Sequence, residues 1–247
     1  MMGKLREIIG KMPNFLCRHR VLQDGHIYPP LKSNKMLDIF TDIYRNNTFG
    51  GKDSISGPGS DAHQTRVIAS ELPMLLRALN TTTMLDLPCG DFHWMKNVDL
   101  SNTAYTGADI VQELIQKNNE NYARNGVRFH CLNLIKDKLP KVDLILCRDC
   151  LVHFSFADIS LALKNVCNSQ SEYFLTTTFT DRIENYDIVT GLWRAINLEL
   201  APFGLPTPLK IINEGCTEDE GTNGDKALGL WRVADIRKTL QGSTPDC

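Results

Sequence analysis

The 247-residue chain contains no apolar run near the length of about 20 residues that a membrane-spanning helix needs, so no transmembrane segment is expected. It has no excess of either charge: 27 Lys and Arg face 29 Asp and Glu, a net charge of −2. The chain as a whole therefore carries no basic footprint for nucleic acid, and no such partner is expected. The basic residues near the N terminus are not followed by an uninterrupted apolar core, which argues against a secretory signal. Cys147 and Cys150 form one C-x-x-C with no second pair at zinc spacing, so no structural metal is expected. The eight cysteines lie partly in apolar runs such as "LILCRDCLVHF". There they behave as small buried hydrophobes, a pattern that suits a reducing compartment and a cytoplasmic location rather than a disulfide scaffold. Oligomeric state is not legible.

Hydrophobic residues make up 42% of the chain and charged residues 23%, enough apolar surface at this length for one sizeable α/β domain. Residues 1–45 read as an N-terminal helical extension. Lys4, Arg6, Lys11, Arg18 and Arg20 face a single acid, Glu7, while Leu5, Ile8, Ile9, Met12 and Leu16 recur at helical spacing. Such a segment either docks on the domain or touches a membrane surface or targeting receptor. A Gly/Ser/Pro/Asn-rich loop over 46–62 opens the main domain, 46–240, and 241–247 form a tail. After a helix over 63–80, in which Pro73 restarts the turn, strands and helices alternate. Strands are expected at 83–87, 104–108, 127–132, 141–147, 172–179, 209–213 and 227–233. Helices are expected at 111–124, closed by Asn125-Gly126, and from Ser155 to Cys167, opened by a capping-box-like Ser155…Asp158. The apolar "KVDLILC" implies a strand buried on both faces. This alternation predicts a doubly wound, mostly parallel Rossmann-like sheet, whose ligands bind at the carboxyl ends of the strands.

Two of those ends carry acids. The segment "MLDLPCGDFHWM", residues 84–95, places Asp86 at a strand tip before a turn of Pro88, Cys89 and Gly90. Asp109 ends the next strand, 19 residues beyond Gly90. An acid about 20 residues past a glycine turn is placed to accept hydrogen bonds from a ribose diol. The turn keeps one glycine where a pyrophosphate loop uses several. It therefore suits a ligand with a ribose and no phosphate.

The D-x-(G/P)-C-G turn followed by an acid at the second strand tip resembles the cofactor site of class I S-adenosylmethionine-dependent methyltransferases. The blocks "SGPGSDAHQTRVIASELPMLL", "DIVTGLWRAINLELAPFGLPTP" and "KALGLW" look like flanking parts of a bacterial-type subgroup of these enzymes, over roughly residues 49–236. The resemblance implies S-adenosyl-L-methionine as cofactor. It places Asp86 near the methionine amino group, and Asp109 with Ile110 at the ribose. Asn133 and Leu134 would lie beside the adenine, with Pro88, Cys89, Gly90, Trp94 and Arg148 as further contacts. Two readings of Trp94 stay open, core packing and a pocket wall. Arg148 pairs with Asp149 or meets an anionic substrate such as an acidic sugar.

Asp149 and His153 follow the fourth strand at i and i+4, and on a helix they would share a face. Histidine titrates near neutrality, so His153, with Asp149, is the candidate base for a hydroxyl acceptor. Trp193, Arg194 and Asn197, in a Pro/Gly-broken segment after the fifth strand, form a candidate substrate wall. The expected activity is methyl transfer to a small molecule or glycan precursor, with oxygen as the acceptor atom. The rival readings are a nicotinamide-dependent oxidoreductase and a non-catalytic binding module on the same fold.

Overall fold

The computed structural model describes residues 35–242 and the backbone of two short antiparallel strands, β1 (Val21–Gln23) and β2 (His26–Tyr28). The expected basic helix over 1–20, most of the 241–247 tail, Cys17 and Cys247 lie outside the described residues. Helix α1 (Met36–Arg45) buries Met36, Ile39, Ile43 and Tyr44, a helical stripe along one face. Helix α2 (Ala62–Ala78) runs continuously through Pro73 rather than restarting there. Pro73 is buried among the apolar face residues of α2, and that packing offsets the lost backbone bond.

Seven strands follow: β3 (Thr83–Asp86), β4 (Ala104–Asp109), β5 (Val127–Cys131), β6 (Leu144–Cys147), β7 (Tyr173–Phe179), β8 (Lys210–Asn213) and β9 (Lys226–Arg232). They form one sheet in the order β5-β4-β3-β6-β7-β9-β8. The first five are parallel; β9 runs antiparallel to both β7 and β8. Helices α3 (Gln112–Tyr122), α4 (Phe156–Asn168) and α5 (Val233–Gly242) complete the domain. Ser155 Oγ accepts from the Asp158 N–H at 3.2 Å, the cap expected for α4.

The sheet has a core on each face because side chains alternate along a strand. Leu85 and Ile145 face Ile159, Leu163 and Val166 of α4 and Ile236 of α5. Met84, Leu144 and Leu146 face Ile68, Leu72 and Leu76 of α2. All four residues of β6 are buried, as a central parallel strand requires. Strands β3 and β6 are neighbours whose chains continue toward opposite edges, so their carboxyl ends form the topological switch point.

Behind the site the chain packs around a buried cation. Arg194 is 0% exposed. Its Nη1 donates to the Leu151 carbonyl and its Nη2 to the Phe154 carbonyl, each at 2.9 Å. The guanidinium lies 5.6 Å from the Phe156 ring, and burial lowers its pKa to about 10. The substrate role expected for Arg194 is thus corrected: its charge is spent holding the turn before α4. Asn197 is corrected for the same reason. Its Nδ2 donates to the Arg182 carbonyl at 3.2 Å, and its Oδ1 accepts from the Glu199 N–H at 3.0 Å. Arg194→Met keeps the volume and removes two bonds to a charged donor, each worth ~1.5–3 kcal/mol. It should cost ~2–4 kcal/mol of unfolding free energy, read by urea titration, while leaving ligand affinity nearly unchanged.

Candidate functional site

The carboxyl tip of β3 delivers Asp86 into the interior. Tyr105 Oη donates to its Oδ2 at 2.6 Å, and burial pushes its carboxyl up to about 7. The turn after it is fixed from two sides. The Cys89 N–H donates to the Ala108 carbonyl of β4 at 2.7 Å, and Asn118 Nδ2 of α3 donates to the Gly90 carbonyl at 2.8 Å. Gly90 adopts a φ of +53°, and a Cβ there would stand 2.2 Å from Ser56 Oγ. Glycine is therefore required for both the turn and the close approach of the 54–56 loop. Asp91 anchors that loop, with Ser54 Oγ donating to Oδ1 at 2.9 Å and the Ile55 N–H to Oδ2 at 3.0 Å.

Asp109 sits at the end of β4. Its Oδ1 accepts from the Val111 N–H at 3.0 Å, and the Gly90 and Ile110 N–H groups also bond its carboxyl. Burial nevertheless pushes its pKa up to about 6. The two acids open onto one cavity, along with Pro88, Cys89, Gly90, Trp94, Ile110, Leu134 and Arg148. Met36, Phe40, Ile43 and Tyr44 of α1 form the facing wall. Asn133 does not reach the cavity, although its neighbours Leu132 and Leu134 do. Its Oδ1 accepts from the Ile135 N–H at 2.9 Å and its own N–H donates to Asp137 Oδ2 at 2.7 Å, so it caps a turn instead.

Beyond the tip of β6 the chain does not continue as an α-helix. Asp149 has a φ of +50°, and a single 3₁₀ turn covers Leu151–His153. The shared helix face expected for Asp149 and His153 is absent, yet both line the first cavity. His153 Nδ1 lies 2.9 Å from the Leu192 carbonyl. A carbonyl only accepts, so Nδ1 carries the proton and Nε2 is the bare nitrogen. Burial lowers the His153 pKa to about 4. The ring is neutral at physiological pH and a weaker base than the sequence implied.

Arg148 is buried with its counter-ions. Its Nη2 bonds Glu214 Oε2 at 2.6 Å, its Nη1 lies 3.1 Å from Asp149 Oδ2, and its guanidinium is 5.7 Å from the Trp94 ring. Its Nη2 also donates to the Gly59 carbonyl at 2.8 Å. These contacts leave no fork for an anionic substrate. Lys226 Nζ donates to Asp149 Oδ2 at 2.7 Å. Burial raises the Asp149 pKa, but Arg148 and Lys226 outweigh it and hold the carboxyl at about 2.

A second cavity, of about 300 Å³, shares Phe49, Ser56, Asp149 and His153 with the first. Trp193 lines it with Phe179, Glu218 and Lys226. Helix α1 falls within the expected helical extension; what sequence reasoning missed is its place as a wall of the first cavity, the Asp91 anchor and Lys226. The "KALGLW" block marked the strand of Lys226, but nothing local showed that its ammonium reaches Asp149.

No family model matches the chain, and no curated protein matches it. In structure it is similar to the 1,6-didemethyltoxoflavin-N1-methyltransferase of Burkholderia thailandensis, crystallised with that substrate and S-adenosylhomocysteine. The two are 14% identical, over 87% of this chain and 99% of that one, with a TM-score of 0.58. It is also similar to human N-acetylserotonin methyltransferase in complex with SAM, at 17% identity, 78% of this chain and a TM-score of 0.55. The match covers 58% of the human enzyme, little more than half its length. The methyltransferase domain of bacterial CtHen1-C aligns at 14% identity over 70% of this chain and 98% of that one, with a TM-score of 0.51. The chain has the class I methyltransferase fold. In that fold's sheet, Asp86, Asp109 and Asp149 stand at the carboxyl ends of three adjacent strands, on the edge of the switch-point crevice.

Proposed function

We propose that the protein is an S-adenosylmethionine-dependent methyltransferase acting on a small molecule or glycan precursor, with no nucleic-acid substrate. The reading rests on one observation: two buried acids on neighbouring strand tips share a cavity that joins a second chamber at Asp149 and His153. A buried carboxylate is costly unless a donor or cation meets it. Asp109 fits a ribose diol and Asp86 an ammonium, while Trp94, Leu132 and Leu134 offer an apolar surface for a base. Neighbours crystallised with SAM or S-adenosylhomocysteine share the fold and support the same assignment. The free cysteines suit a cytoplasmic protein, and among the described residues no helix is long and apolar enough to cross a membrane.

Bound there, S-adenosylmethionine supplies a methyl group activated on a sulfonium. The protein's residues hold and orient. Asp86 would hold the ammonium and Asp109 the ribose diol, and α1 with the 54–56 loop would wall the nucleoside from water. His153 Nε2, with no proton of its own, accepts a hydrogen bond from the attacking group where the chambers meet. Alignment of this kind is worth up to ~7–11 kcal/mol of barrier.

S-adenosylhomocysteine should bind the purified protein and raise its melting temperature. A hundredfold excess over the dissociation constant stabilises the native state by ~2.7 kcal/mol. Calorimetric silence with this nucleoside, together with a shift on adding NAD, would sink the proposal and favour the oxidoreductase. Silence with both would favour the non-catalytic module.

A further inference from the structure

We infer that Tyr105 is a positioning residue for the amino-acid end of the nucleoside: its phenol holds Asp86 as a carboxylate and occupies one oxygen, leaving the other to the ligand's ammonium. The inference rests on the methyltransferase reading and adds to it a residue that does not itself touch the ligand.

The geometry begins in the sheet. In the parallel register of β3 and β4, Met84 pairs with Tyr105 and Asp86 with Gly107. Tyr105 and Gly107 lie on one face of β4, because side chains alternate along a strand. The buried phenol of Tyr105 donates from Oη to Asp86 Oδ2 at 2.6 Å. Gly107 keeps the space for it open. A Cβ there would stand 3.0 Å from the Tyr105 ring and 2.7 Å from that of Phe129. The Phe92 and Phe129 rings pack on the phenol at 5.2 and 6.1 Å between centroids, which fixes where its hydroxyl points.

Asp86 lines the first cavity although it is buried. A buried carboxyl tends to hold its proton, and a neutral acid offers an ammonium no charge. Among the described residues Tyr105 is the one donor to that carboxyl, and a hydrogen bond to the ionised form favours it. That the donor is a phenol matters. A lysine or arginine would cancel the charge, whereas a neutral hydroxyl leaves it for the ligand. Burial, and then the neighbouring Asp86, hold the phenol well above its ordinary pKa, so the hydroxyl keeps its proton.

The other charged and titratable groups around Asp86 do not replace this bond. Arg148 favours the ionised form and Asp109 opposes it, but Arg148 is committed to Asp149 and Glu214. Burial, with Asp109 and Asp86, pushes the Cys89 thiol well above its ordinary value, so it carries no charge. Asp91, Asp149, His153 and Tyr44 of α1 line the same cavity. Asp91 is bonded to the 54–56 loop and Asp149 to Lys226.

Tyr105→Phe tests the assignment, since it keeps the ring between its neighbours and removes only the hydroxyl. S-adenosylhomocysteine and 5′-methylthioadenosine, the same nucleoside without the amino-acid tail, are titrated by calorimetry into the full-length wild type and variant, with a melting curve for each sample. At about pH 6 the variant should bind S-adenosylhomocysteine about tenfold more weakly, the effect of raising one carboxyl pKa by about one unit. The gap should close toward about pH 8.5, where the carboxyl is mostly ionised in both proteins. The ligand's own ammonium titrates alike with both proteins and cancels from the comparison. Affinity for 5′-methylthioadenosine should change by less than about twofold. Asp86→Asn is the second arm, and it stands alone if Tyr105→Phe does not fold. It should remove most of the pH dependence that separates the two ligands, and adding Tyr105→Phe to it should change little further. Unchanged S-adenosylhomocysteine affinity in Tyr105→Phe overturns the inference. So does an equal loss for both ligands, a loss that does not vary with pH, or a further loss of the same size in the Asp86→Asn background. In each of these cases wild-type binding of S-adenosylhomocysteine leaves the methyltransferase reading standing. Wild-type binding of neither nucleoside removes both.

Discussion

Asp109→Ala should weaken S-adenosylmethionine binding by well over tenfold, and Asp109→Asn by at least tenfold. The carboxylate would accept from both ribose hydroxyls, and each bond to a charged acceptor is worth ~1.5–3 kcal/mol, against ~1.4 kcal/mol per decade. Asn keeps the shape but replaces one acceptor with a donor. Asp109 also bonds the Val111 N–H, so circular dichroism and a melting curve must accompany each titration. The wild-type protein offers an independent check through pH. Burial places Asp109 at about 6 and Asp86 at about 7, both above the ordinary carboxylate value. Their ionised forms are the ones that bind, so affinity should fall as pH drops through 7 to 6. The sign for the unliganded fold is opposite. A raised native pKa means that ionisation costs stability above that value, and the cost fades as pH falls. Wild-type affinity in a well-folded Asp109→Ala protein would move the ribose elsewhere.

His153→Phe should lower turnover by ~10²-fold or more, within the ~10²–10⁴ range for losing a proton-handling group, with cofactor affinity little changed. Phe keeps a ring against Phe49 and removes both nitrogens, so the stacking seen at 4.6 Å is retained. Because the His153 pKa is about 4, turnover at saturating cofactor should stay level from pH 8 down to about 5. A loss of activity centred near the ordinary histidine pKa would contradict that burial. A matching loss of cofactor affinity would make the residue structural.

The sheet was legible because its signals are local. Apolar runs ending in acids or turns placed every strand of the sheet to within a few residues, and β6 was the clearest of them. The two acids were legible for the same reason: a strand tip is a place in sequence as well as in space. The opening of α4 was also readable, since Ser155 and Asp158 are three residues apart. What failed was longer in range or finer in angle. Arg194 looked like a substrate group because its partners, Leu151 and Phe154, lie about 40 residues away. The α-helical reading at 149–153 failed on one backbone angle, the positive φ of Asp149. Lys226 escaped notice because its partner Asp149 lies beyond the tip of another strand, 77 residues away. Asn133 was misplaced by a single step, its neighbours facing the cavity while it turned back to Ile135 and Asp137.

Helix α1 contributes an entire wall of the nucleoside cavity, and its last turn is fastened from outside. Arg45 Nε reaches Glu113 of α3 at 2.9 Å, and Lys117 lies 5.3 Å from the Tyr44 ring. Both Arg45 and Glu113 are largely open to solvent, where dissolved ions weaken such attractions within a Debye length of about 8 Å. The apolar side of α1 holds nearly as well in salt; the charged fastening does not. Residence time of a nucleoside bound there should therefore shorten as ionic strength rises. Added salt should loosen the wall while leaving the strand-tip acids where they are. A surface ion pair, at a distance from the strand tips, thus helps to set how firmly one wall of the cavity is held.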